Sequence, residues 1–256
     1  MTLRHYVTDH PWRSAFVFLG IVVTVVLFAG VISEIFQWDT LTQIAVVDVS
    51  LGIAGIALVH YLGWWRNAGF CTGVRVTDIP LFIFPVTAAL LSFTEGVKVT
   101  APMVIIGFTA LTLLVGFAEE TWFRGLIFPT LLPQGILIAV VSSSLIFALP
   151  HLLNVLGGVW DPLFTAADTV AAFGLGVTFA ALRLRTGSIW PIIGIHALVD
   201  FTSLVALGGI TVHKQSTDVL ISSVLVGIFF VAYGLYLIRR MIHPALPTNP
   251  PTGQES

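Results

Sequence analysis

Long apolar runs broken by short polar interruptions dominate this chain, and run length is its clearest structural signal. A helix needs about 20 predominantly apolar residues to cross the hydrocarbon core. Eight runs approach or exceed that length: 14–32, 41–62, 79–93, 103–132, 135–153, 169–184, 190–207 and 219–238. The third is short and contains Pro85. The fourth is long enough to tilt or overrun the bilayer. The first is too long for a signal-peptide core and has no small-residue cleavage site after it, so it reads as a retained span. The breaks are short, and several carry Pro, Gly or Asn. The pattern predicts an all-α integral membrane protein, a polytopic bundle of about eight transmembrane helices. No internal repeat or second domain is visible. The expected division is a polar N-terminal segment 1–13, a transmembrane domain 14–240, and a polar, Pro-rich tail 241–256 whose composition predicts disorder.

Composition agrees with the pattern. Only 9% of the 256 residues are charged and 57% are hydrophobic, with a mean hydropathy of +0.99. A soluble domain carries about 25% charged residues. Net charge is −2, and no basic face points to nucleic acid. Cys71 is the one cysteine, which excludes an intrachain disulfide. The cations supply the orientation. Arg4 and Arg13 precede the first run, Arg66 and Arg75 follow the second, Arg183 and Arg185 the sixth, and Arg239 and Arg240 the eighth. With eight spans these all fall on one side, and only Lys98 and Lys214 on the other. The positive-inside rule then places both termini in the cytoplasm. One miscounted span would destroy the asymmetry.

Ionisable residues within spans are expensive, at roughly 3 kcal/mol for a charge at the bilayer centre, and are functional by default. Here they gather in three places: Glu119, Glu120 and Arg124 in "EETWFR", His151 in "FALPH", and His196 with Asp200 in "HALVD". Glu120 and Arg124 are four apart with the acid first, the favourable order for a helical pair. Glu119 is rotated about 100° from Glu120, which leaves it free for proton transfer. His151 follows Phe147 by one turn, and Asp200 follows His196 by one turn, where a carboxylate can fix the imidazole tautomer. Such a set can hold a zinc ion through three N or O ligands and a water. It can also work without metal, with Glu119 activating water and the histidines holding the oxyanion. H-E-x-x-H is absent, which excludes the common zinc-protease helix.

The three groups in this order, E-E-x-x-x-R, F-x-x-x-H and H-x-x-x-N/D on successive apolar helices, resemble the CPBP intramembrane proteases. That family includes the CAAX prenyl endopeptidases and the bacterial Abi (bacteriocin-processing or immunity) proteins. "FRGLIFPTLL" and "LRLRTGSIWPIIGIHALVDF" are also family-like, and the resemblance covers about 101–200. It implies an intramembrane endopeptidase in a prokaryotic cell membrane. The substrate would be a peptide or protein, prenylated or membrane-anchored in the CAAX case. Glu119 would be the base that activates water, with Glu120 and Arg124 supporting its helix and Phe147 supporting His151. His151 and His196 would be catalytic groups or metal ligands. Asp200 stands where Asn is common; it can orient His196 or bind a metal, whereas Asn donates a hydrogen bond. A proton-coupled transporter is the alternative class, with Asp48 as a further carboxylate inside a span. No paired halves with interrupted helices support that reading. Asp48 itself reads as a polar contact between helices. An inert immunity or scaffold protein of the same fold is the third reading, and intact Glu119, His151 and His196 argue against it.

Overall fold

The computed structural model describes residues 3–155, 161–209 and 217–242. Lys214 and tail residues 243–256 lie outside the described residues. The described chain is helical apart from the turns and short loops that connect its helices. A short helix α1 (Leu3–Asp9) precedes α2 (Pro11–Phe36) and α3 (Thr40–Leu62). The third run is only partly α-helical: α4 (Ile83–Leu90) lies between 3₁₀ segments at Val76–Phe82 and Leu91–Glu95. α5 (Pro102–Glu120) passes into a π-helical stretch, Thr121–Ile127, and a last turn, α6 (Phe128–Leu131). α7 (Ile136–Ala148) ends in a 3₁₀ segment, Leu149–Val155, and α8 (Pro162–Thr186), α9 (Trp190–Leu207) and α10 (Thr217–Ile242) follow. Eight of these segments, counted among the described residues, are long and apolar enough to cross a membrane. The protein is thus an all-α, multi-pass membrane bundle, as the run lengths imply.

Local chemistry sets the ends. Proline opens α2, α5, α8 and α9, where its missing N–H costs nothing. The Asp39 side chain caps α3 through Thr42 N–H, and Asp161 caps α8 through Leu163 N–H and Phe164 N–H. The bonds from Thr42 also hold the Asp39 carboxyl below its ordinary range. Gly63, Gly187 and Gly208 close α3, α8 and α9 in the left-handed conformation. Within the N-terminal segment, Leu3–Asp9 forms α1, and Val7 is buried in the core.

α8 is the central helix. Of its most apolar stretch, 61% is buried, against 17% for the third span. It packs on α10 without side chains between the backbones: a Cβ on Gly174 would collide with the Gly227 backbone. Small residues let membrane helices approach this closely. Outward-facing Phe16, Phe28, Ile53 and Phe229 are exposed, as a lipid-facing surface requires.

Candidate active site

Gly116, Glu120 and Arg124 lie at four-residue spacing on one face of α5 and its π extension. A Cβ on Gly116 would sit 2.8 Å from Ile193 O of α9. That absent side chain lets α5 and α9 touch backbone to backbone, one turn from Glu120 and His196. The π stretch begins directly after Glu120. π turns inside α-helices are frequent at functional sites, and this one changes the regular helical spacing assumed from sequence. The opposite side of the stretch is anchored on α3, where Trp122 Nε1 donates to Leu51 O at 2.9 Å.

Glu120 is fully buried and is the hub. Its Oε1 accepts from Arg124 Nη1 at 3.2 Å and lies 2.7 Å from His196 Nδ1. Glu120, a candidate catalytic residue as well as a support for its own helix, thus joins α5 to α9 through one oxygen. With Nδ1 engaged, the imidazole presents Nε2 to Glu119 Oε2 and Asp200 Oδ2, each 3.6 Å away. Both distances are in ion-pair range and too long for a hydrogen bond. Glu119 and Asp200 keep roughly a third of their side chains exposed, 27% and 35%. Beside a buried hub, these two are the accessible acids.

Phe147 connects this cluster to the second histidine. Its ring lies 6.0 Å from the His196 ring, edge to face, and 5.5 Å from the His151 ring. The Arg124 guanidinium stacks over it at 4.1 Å, a cation–π contact in a dry setting. His151 lies on the 3₁₀ segment just after Pro150, beyond the end of α7. Its Nδ1 is 3.0 Å from Asp168 Oδ2 of α8.

The sequence reading missed Asp168. The sixth apolar run begins at Thr169, one residue past Asp168. The Asp161–Pro162 capping pair was the available signal: it starts α8 seven residues earlier and puts Asp168 on the helix. Asp48 also gains a different setting. It is buried on α3 and lines the same cavity as Glu119, His151, Asp168, His196 and Asp200. That cavity measures about 880 Å³.

The donor set bears on metal binding in two ways. Each histidine has Nδ1 on a carboxylate, the usual outer support of a metal-bound imidazole. Among the described residues, however, no three His, Cys, Asp or Glu side chains are grouped to hold an ion. His151 and His196, the suggested ligands, hold separate carboxylates in this arrangement.

Fold and site together define a polytopic membrane protein with an acid–histidine cluster on a span-level cavity. Residues 101–202 match the family described as type II CAAX prenyl endopeptidase Rce1-like. The matched stretch runs from the start of α5 into α9, and all three motifs fall within it. The resemblance read from those motifs holds over these residues, and it supports an intramembrane protease in general. No curated protein matches the chain.

Proposed function

We propose that the protein is an intramembrane endopeptidase in which Glu119 is the general base. The observation that carries this reading is the cluster around His196, where one buried carboxylate fixes the ring and two accessible carboxylates flank its free nitrogen. Water bound at Glu119 gives its proton to the carboxylate and attacks the scissile carbonyl carbon. The carbonyl oxygen becomes an oxyanion, which His196 Nε2–H stabilises while Nδ1–H donates to Glu120. Collapse breaks the C–N bond, and Glu119 returns the proton to the leaving amine. Asp200 Oδ2 faces His196 Nε2 from one turn along α9. His151, steadied by Asp168, is a second donor on the cavity wall. Glu120, Arg124 and Phe147 position these groups, in a transmembrane domain spanning 14–240 with its motif core at 101–200.

The test is cleavage of a membrane-spanning reporter peptide by purified protein in proteoliposomes. Wild type should cut, whereas Glu119→Gln and His196→Ala should not. Equal cutting by all three would overturn the assignment. Metal content of the same sample, and activity after chelation, separates this route from a zinc-dependent one. The transporter reading predicts peptide-independent proton flux that Glu119→Gln abolishes.

A further inference from the structure

The cavity and the arginines occupy opposite ends of the bundle. Three contacts define the arginine end. Arg183 Nη2 donates to Asn67 O at 2.6 Å, Ile189 N–H to Gly69 O at 3.2 Å, and Trp190 Nε1 to Phe70 O at 3.1 Å. They tie the turn after α3, which carries Arg66 and Arg75, to the last turn of α8, which carries Arg183 and Arg185, and to the start of α9. The other end is tied by Lys98 N–H and Val99 N–H donating to Val205 O near the end of α9, at 3.1 and 3.3 Å. The cavity extends from Glu119 toward this second end. Its wall reaches Gln37, Thr40, Asn154 and Leu207, and takes in no residue of either arginine-bearing turn. Its ionisable lining is predominantly acidic. Glu34, Asp48, Glu119, Asp168 and Asp200 contribute five carboxylates against the two imidazoles of His151 and His196, and no Lys or Arg lines it among the described residues.

We infer that the site is supplied from the membrane face opposite the arginines, the non-cytoplasmic face under the positive-inside rule. We infer also that its substrate is a peptide segment with positive charge flanking the scissile bond. The inference rests on the protease reading above. A cleft lined predominantly by one sign of charge between low-dielectric walls focuses its field and concentrates ligands of the opposite sign. A CAAX substrate is a C-terminal motif, so it would bring a free carboxylate among five others. An internal or N-terminal cationic segment meets no such repulsion.

Two measurements test this. In the first, intact cells are treated with a membrane-impermeant maleimide. The native Cys71 is exposed at the arginine end and should label only after permeabilisation. Glu34→Cys in a Cys71→Ser background should label at once. The reverse pattern would overturn the assigned face.

In the second, three peptides share one apolar core and carry two Lys, two Gln or two Glu as flanks. Binding to the Glu119→Gln protein at low salt should favour the Lys peptide over the Glu peptide by about tenfold or more, and added salt should shrink the gap. Glu34→Lys should reduce that preference several-fold. Asp9→Asn, at the end of α1 and away from the cavity, should leave it unchanged. Equal or inverted binding would overturn the charge assignment. Failure of the protease reading looks different: the Lys peptide binds and wild type never cuts it. Failure of this inference is cutting of the Glu peptide, or cutting only from the arginine face.

Discussion

His196 and His151 are held by the same kind of contact in different surroundings. Each ring has Nδ1 within 3.0 Å of a carboxylate from another helix. His196 is almost wholly buried, its partner Glu120 is fully buried, and Arg124 shares that partner. His151 is 28% exposed, and its partner Asp168 is 27% exposed, with no arginine on it in the described contacts. The difference separates two jobs. A buried charged hub is strongly destabilising to break, because the remaining charge stays buried without compensation. A half-exposed pair is re-solvated when broken and contributes little to the fold. Around His196 structure and chemistry are inseparable, whereas around His151 they can be altered independently.

The largest effect belongs on the His196 side. Glu119→Gln should lower cleavage by roughly 10³-fold or more, in line with loss of a general base. The protein should keep its thermal midpoint, because Glu119 is partly exposed. Reporter cleavage and a melting curve on one sample check both halves. A large loss of stability would mean that Glu119 is structural. Glu120→Ala comes next. It strands Arg124 and frees His196, and should cost about 3–5 kcal/mol of stability, read as a fall in the denaturation midpoint in detergent. Glu120→Gln should recover part of that stability and little activity.

Asp168→Asn should be milder, with activity down about 10- to 100-fold as for loss of an imidazole-orienting carboxylate and stability changed by no more than about 0.5 kcal/mol. If it unfolds the protein as Glu120→Ala does, the contrast between the two histidines fails. Phe147→Leu should be smallest, at about 1 kcal/mol from the lost cation–π and ring contacts. Because Phe147 touches both rings, activity should fall modestly with either histidine intact. A change confined to one histidine's function would show that the ring does not link them.

Several features could be read before any coordinates. The spans were legible because lipid demands long apolar runs, and the tolerance for charge inside them is small. The same intolerance made Glu119, Glu120, Arg124, His151, His196 and Asp200 conspicuous. Asp168 was not, because a carboxylate near a span end looks like a loop residue until the helix start is set correctly. Asp48 was noticed, yet nothing in its own run distinguishes a contact between helices from a cavity wall.

By itself, then, the sequence determined the class of fold, the number of spans and the order of the three motifs. All of these follow from local run length and spacing against the thickness of a bilayer. Tertiary structure alone decided that Glu120 joins Arg124 to His196, that His151 pairs with Asp168, and that the cavity extends away from the arginines. Those facts depend on how helices distant in sequence approach, and on small residues such as Gly116 that let two backbones meet. Pairing across 76 residues, as between Glu120 and His196, leaves no periodic trace in the chain.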